Sequence, residues 1–436
     1  MNKLLPIAGA ITLSASTVHA QEIKPLLESH AYVAFIMNTL LMLIGGFLVF
    51  WMAAGFAMLE AGLVRAKNVT QQLIKNLGLY AMACLFYFIF GYNLMYPNGD
   101  WAIAGIVGGN WALPQFSVAN SDNITNFAGY SIFAFLFYQM MFCATTASIS
   151  SGTLAERIKL WPFFIFIIIF TGIIYPIQAS WVWGGGFLAE MGYHDFAGSS
   201  VVHVSGGAAA LVGAILLGPR LGKYIDGKVY PVAGSNMPLA TLGMFILWLG
   251  WFGFNGASQL VIGSITEVDQ VARIFLNTNV AGCGGAAAAL LVTQLLYKNS
   301  DLTMVINGAL AGLVAITAEP LTPSVGAAAL IGAAGGIIVV HAVPLLDKLK
   351  IDDAVGAIPV HFFAGIWGAL AASLTNPEVS LITQATGVAI IIGFVIVASA
   401  LVWGVLRFTF GLRVSERDEL NGLDLSLFGV PAYDTN

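Results

Sequence analysis

Two histidines in this chain, His203 and His361, could do chemistry together. Each lies in an apolar run, follows a valine (Val202, Val360) and comes eight residues after an aspartate (Asp195, Asp353). Ionisable groups in such runs are costly to place and are usually functional. Two imidazoles in contact can share one proton and relay it, because histidine titrates near neutral pH. A metal site is the rival reading, but no third ligand stands at a suitable spacing. His341 has no counterpart and reads as a packing or hydrogen-bonding residue. Asp195 opens Asp195-Phe196-Ala197-Gly198-Ser199. A carboxylate there caps a helix N-terminus, and its negative potential also attracts a cation. An orienting role is favoured over direct contact.

Three aromatic residues could join this group. Trp183 directly precedes Gly184-Gly185-Gly186, Phe142 lies inside an apolar run, and Phe254 lies in Gly250-Trp251-Phe252-Gly253-Phe254-Asn255. Singly, each suits core packing. Together they could form a cation-attracting aromatic cup above an apolar constriction.

The elements that position these residues must lie in a membrane. The 436 residues include 17 Lys+Arg and 22 Asp+Glu, are 58% hydrophobic and 9% charged, and have mean hydropathy +0.85. Soluble domains carry about 25% charged residues. A soluble multi-domain enzyme is therefore excluded. A net charge of −5 with no basic run also excludes nucleic-acid binding. No nucleophile–base set, phosphate loop or metal spacing is present, so the chain is not read as an enzyme and no cofactor is implied. Cys84, Cys143 and Cys283 lie far apart in apolar runs and read as small core residues.

Eleven apolar segments approach or exceed the length needed to cross about 30 Å of hydrocarbon. They centre on 33–60, 74–96, 129–154, 160–183, 199–218, 237–258, 270–297, 303–319, 323–346, 357–375 and 384–410. Before them, Lys3, the apolar stretch Leu4 to Leu13 and Val18-His19-Ala20 resemble a secretory leader cut after Ala20. The expected organisation is a leader over 1–20, an all-α eleven-helix domain over 21–410 and a tail over 411–436. With the mature N-terminus outside, fourteen of the sixteen cations beyond residue 20 fall in cytoplasmic loops or the tail, leaving Lys24 and Arg273 outside. That distribution predicts an N-out, C-in chain.

The Asp–His spacing recurs at the starts of spans five and ten. Five is odd, so the two halves run in opposite directions, as in an inverted repeat with its site near the midplane. Span eleven would be an added strut.

The string Asp195-Phe196-Ala197-Gly198-Ser199-Ser200-Val201-Val202-His203 resembles the ammonium transporter (Amt/Rhesus) family. So do Glu60-Ala61-Gly62-Leu63-Val64-Arg65, Lys67-Asn68-Val69, Leu154-Ala155-Glu156-Arg157-Ile158 and Trp183-Gly184-Gly185-Gly186. Gly250 to Asn255, Val360-His361, Gly411-Leu412-Arg413-Val414 and Gly422-Leu423-Asp424 extend the likeness over essentially the whole chain after the leader. The resemblance implies a homotrimer of eleven-helix protomers in a bacterial cytoplasmic membrane, each protomer with its own pore. Trp183, Phe142 and Ser258 would recruit ammonium at the outer face, organised by Asp195. Phe142 and Phe254 would form a stacked gate, and His203 and His361 a histidine pair lining the pore. Ammonium would shed its proton and cross as ammonia, with the proton relayed separately by the histidines. Potassium, which has no proton to shed, would be rejected by its desolvation cost. A PII-type signal protein could dock at the cytoplasmic face.

The chain departs from the family pattern at Tyr138, where phenylalanine is common, at Gly356, where some relatives carry aspartate, and at Phe428-Gly429-Val430, where bacterial relatives read His-Gly-Glu. Two other readings share the fold: an ammonium sensor signalling through a partner, and a neutral-gas channel.

Overall fold

The computed structural model describes residues 7–116 and 129–433, with side chains from His30 onward. The expected leader, residues 1–20, lies outside the described side chains. Among the described residues, ten helices are long and apolar enough to cross a bilayer. They are span 1 (His30–Leu63), span 2 (Ala66–Met95), span 3 (Ile132–Thr153), span 4 (Leu160–Ser180) and span 5 (Ser199–Leu217). Then come span 6 (Met237–Gln259), span 7 (Ile265–Tyr297), span 9 (Val325–Lys348), span 10 (Ile358–Thr375) and span 11 (Leu381–Thr409). The expected eighth is a shorter apolar helix, Leu302–Ile316, of 15 residues. It rises only about 22 Å. Residues Ile306 to Ile316 are all buried, so neighbouring helices enclose it.

Apolar side chains cover the outside: Ile265 is 91% exposed, Phe408 90% and Ile382 78%. A surface of that kind suits hydrocarbon and would associate in water. Cys143 is buried, as expected of a small core residue, but Cys283 is exposed on span 7. An apolar run does not distinguish core from lipid, and a small thiol suits either. His341 is likewise exposed, on span 9.

The packing follows the expected repeat. Span 1 packs along span 6, span 3 on span 5, span 8 on span 10, and span 2 on span 4 as span 7 does on span 9. Spans 7, 8 and 9 meet backbone to backbone. A Cβ at Gly285 would lie 2.2 Å from the Gly308 carbonyl oxygen, and one at Gly336 would lie 2.2 Å from that of Gly285. Small residues permit this approach where apolar burial gives helices little reason to associate.

Spans 5 and 10 both begin with a π-helical turn, Ser199–Val204 and Ile358–Phe363, before continuing as α-helix. Such turns recur at functional sites. Each is preceded by a glycine in the left-handed region, Gly198 (φ 110°) and Gly356 (φ 83°).

At one end the cation-bearing loops converge. Arg220 binds Asp352 through Nε and Nη2 at 2.8 and 2.9 Å and Glu156 through Nη1 at 3.0 Å. Arg65 also donates to Glu156. Burial pushes the Glu156 carboxyl up, but Arg220 and Arg65 outweigh it and hold it below its ordinary range. The tail folds back onto these loops. Asp424 accepts from the Thr70 and Gln71 amides at 2.9 Å, and Glu419 accepts from Leu221 N and Arg413 Nη2 at 2.7 Å. Arg273 lies at the other end, donating to the Thr322 and Pro323 carbonyls.

Candidate functional site

At the end away from the cation-rich loops, a cavity of about 390 Å³ opens between spans 2, 3 and 6, with Tyr96, Gln139, Phe142, Trp183, Phe196 and Ser258 among its lining residues. Trp183 follows the end of span 4, and its Nε1 donates to the Asp195 carbonyl oxygen at 2.9 Å. The indole meets Phe142 edge-on, with centroids 6.0 Å apart at 79°. Behind it, the Phe142 and Phe254 rings stack at 4.0 Å and 24°. Both are almost wholly buried, so the stack closes the floor of the cavity.

Ser258 sits on the rim. Its hydroxyl donates to the Phe254 carbonyl at 2.7 Å. Tyr138 Oη lies 3.1 Å from Ser258 Oγ and also reaches the Gly253 and Phe254 carbonyls. A serine oxygen has two acceptor positions. With its hydrogen committed and Tyr138 on one side, one lone pair remains for a donor in the cavity. The Tyr138 departure therefore does not place a free hydroxyl in the vestibule: its side chain is buried, and the hydroxyl holds the end of span 6.

Beneath the stack lie the histidines. The His203 ring is 5.4 Å from Phe254 and 5.1 Å from Trp251. His203 and His361 stack at 5.1 Å with their Nδ1 atoms 3.1 Å apart. Both rings are buried. A hydrogen bond between two Nδ1 atoms requires one to carry a proton and the other to be bare. Exchanging those roles moves a proton from one ring to the other. The two rings arrive from opposite ends of the protein, His203 below the vestibule and His361 from the cation-rich end.

The π-helical turns bring this about. Asp195 Oδ1 accepts from the Gly198 and Ser199 amides, and Oδ2 accepts from the Ser200 and Val201 amides and the Ser200 hydroxyl, at 2.5 to 3.0 Å. Burial pushes its carboxyl up while these donors pull it down. The carboxylate is committed to span 5, so it orients the site and holds Trp183 through its carbonyl, without reaching the cavity. Asp353 does the same for span 10, accepting from Val355, Gly356 and Ile358. At Gly356 a Cβ would lie 2.3 Å from Asn307 Nδ2. The Asn307 amide thus occupies the space beside this departure.

On the far side of His361 is a constriction of about 10 Å³, lined by Phe56, Leu59, Glu60, Asn307, Val355 and His361 among others. Sequence reasoning did not single out Phe56, Glu60 or Trp251 as site residues. Trp251 stands three residues before Phe254, which puts the two on one helical face. Its Nε1 donates to Thr317 Oγ1 at 2.9 Å. Phe428 and Val430 lie in the tail, away from the pore; Val430 is exposed, and Phe428 lines a surface groove with Lys159 and Trp161.

Residues 40–433 match the Ammonium Transporter Family. The chain is 39% identical over 423 residues to ammonium transporter Amt2 of Archaeoglobus fulgidus, covering 90% of this chain and 87% of that one. It is 32% identical over 413 residues to the ammonium transporter of Bacillus subtilis, covering 91% and 98%. The solved structure of the Sensor Amt Protein is similar at TM-score 0.84 and 32% identity, covering 91% of this chain and 99% of that chain. The structure of Candida albicans Mep2 shares the fold at TM-score 0.77 and 24% identity, covering 88% and 87%.

Proposed function

This chain belongs to the ammonium transporter family, and on that premise we propose that it recruits NH4+ at Trp183, Phe142 and Ser258, deprotonates it at the Phe142/Phe254 gate and conducts ammonia past His203 and His361. The observation that carries this reading is the 3.1 Å Nδ1–Nδ1 contact directly beneath the phenyl stack. The aromatic faces of the vestibule attract a cation. Below them the walls are mostly apolar, so an intact cation loses most of its hydration without replacement. Ammonium escapes that cost by releasing its proton, and potassium has none to release. The released proton crosses by the histidine pair, which makes transport electrogenic. Asp195 takes no part in this transfer, because its oxygens already hold the start of span 5.

We place the protein in a bacterial cytoplasmic membrane; the cation distribution supports a cytoplasmic tail and an outside vestibule, and the leader pattern supports cleavage after Ala20. Each protomer of a homotrimer carries one such pore. The folded-back tail and cation-rich loops offer a PII-type protein its surface.

Solid-supported-membrane electrophysiology on reconstituted protein tests the reading. Ammonium gives a current and potassium none. His203→Ala and His361→Ala change the current or the discrimination. Unchanged behaviour in both variants overturns the relay, and ammonium uptake without current leaves a neutral-gas channel. A sensor reading is favoured by the likeness to the Sensor Amt Protein. It predicts ammonium binding with negligible flux.

A further inference from the structure

We infer that Glu60 is the inner proton acceptor of the pore: it takes the proton leaving the histidine pair and passes it to ammonia as the ammonia departs. This inference rests on the relay proposed above. Glu60 is 1% exposed, at the inner end of span 1. It shares the constriction of about 10 Å³ with His361, room for about one water molecule. The other walls are mostly apolar, so a proton leaving His361 meets one carboxyl group at the exit.

The surroundings suit both protonation states. Gln72 Nε2 donates to Glu60 Oε2, and Ser151 Oγ lies 2.9 Å from the same oxygen. Ser151 Oγ also lies 2.7 Å from Asn76 Oδ1. The serine has one hydrogen for two oxygen neighbours. It donates to Glu60 when the latter is a carboxylate, and accepts from it when it is a carboxylic acid and the hydrogen goes to Asn76. Lys75, on span 2, donates to the Ser151 carbonyl at 2.7 Å and supplies the nearby positive charge. An ionisable residue this deep in a span is costly and marks a proton path more often than packing.

The step balances. An imidazolium N–H bond of His361 breaks, the proton passes over the intervening water, and an O–H bond forms on Glu60. That bond then breaks as ammonia, a far stronger base than a carboxylate, takes the proton and leaves as ammonium. The carboxylate and the neutral imidazole are restored.

The test compares current with ammonium accumulation in the same proteoliposomes. Glu60→Gln lowers the charge moved per ammonium accumulated by about 100-fold, the lower end for loss of a positioned proton acceptor. Glu60→Asp recovers most of that ratio, which a packing role would not predict. An unchanged ratio in Glu60→Gln, alongside an altered one in His361→Ala, overturns Glu60 and leaves the relay standing. Unchanged ratios in both overturn the relay itself. Should Glu60→Gln fail to fold, infrared difference spectra of the wild-type protein decide. A protonated-carboxyl band that rises during ammonium turnover and is missing from His361→Ala is expected, and its absence from the wild type overturns the inference.

Discussion

Asp195 and Asp353 each hold a π-helical turn at the start of a span, and each places a histidine eight residues on, yet the two halves close the pore differently. On the His203 side stand two stacked phenyl rings and an indole, with no ionisable group between them. On the His361 side stands a narrow constriction containing a carboxyl group and an amide, Glu60 and Asn307. The shared backbone device supplies geometry, bringing two rings together from opposite ends. The surroundings differ in chemistry, with aromatic faces on one side and a carboxyl group and an amide on the other.

The largest test of that comparison removes the aspartates. Asp195 satisfies four buried amides and a hydroxyl, whereas Asp353 satisfies three amides. Leaving a buried donor unpaired costs about 1–3 kcal/mol. Asp195→Ala should therefore lower the thermal midpoint more than Asp353→Ala, and should deplete folded protein in the membrane. Equal losses would mean that the two caps carry equal weight.

The next test adds one methyl group to each half. Gly198 and Gly356 both have positive φ, a strain of about 1–2 kcal/mol for an L-residue. At Gly198 a Cβ would meet Val202 Cγ2 at 2.7 Å and Trp183 Cη2 at 3.0 Å. At Gly356 it would meet the Asn307 amide, which donates to the Val355 carbonyl at 3.1 Å and lies away from the vestibule. Gly198→Ala should raise the ammonium concentration giving half-maximal current, by displacing Trp183. Gly356→Ala should leave that concentration unchanged. A shift in both would remove the distinction between the ends.

Much of this difference was legible before the fold. Charge and apolar runs marked the spans, and the Asp–His spacing marked the repeat, because each obeys a local rule of period or hydropathy. The length of span 8 was not, since burial among neighbours rather than lipid decides how long that helix must be. The exposure of Cys283 was hidden for the same reason. Trp183, Phe142 and Phe254 stood out by position and Ser258 by resemblance, and the structure places them around one cavity floor. Glu60 stood in a quoted motif without a role. Nothing local shows that it shares a cavity with His361, 301 positions away in the sequence.

Tyr138 gives a smaller effect. Its hydroxyl ties span 3 to the end of span 6 and to Ser258. Tyr138→Phe should cost about 1 kcal/mol of stability. It should also free an acceptor position on Ser258, so that apparent ammonium affinity stays level or improves. A loss of affinity would place the hydroxyl in the recruitment step instead, and would weaken the view that the outer end works through aromatic faces.

The residues just before the two aspartates carry the contrast into pH. His194 pairs with Glu319 at 3.0 Å, and Asp352 pairs with Arg220 at 2.8 Å. Burial pulls the His194 imidazole down, but Glu319 outweighs it and raises it above 6.5. Burial pushes Glu319 up, but His194 and Asn376 hold it below 4.5. A raised histidine contributes stability that is fully present below 6.5 and is lost as pH climbs through the raised value. A lowered glutamate contributes above 4.5 and loses that contribution as pH falls. The outer pair is therefore fully effective between about pH 4.5 and 6.5. The inner pair is constant across neutrality, because Arg220 outweighs burial and holds Asp352 far below the usual carboxylate range. His194→Gln should lower the thermal midpoint at pH 6 by an amount equivalent to no more than about 1 kcal/mol, with the deficit fading by pH 9. The deficit of Asp352→Asn should be the same at both pH values. A pH-independent deficit at His194 would show that the packing of its side chain, rather than its charge beside Glu319, holds the outer end.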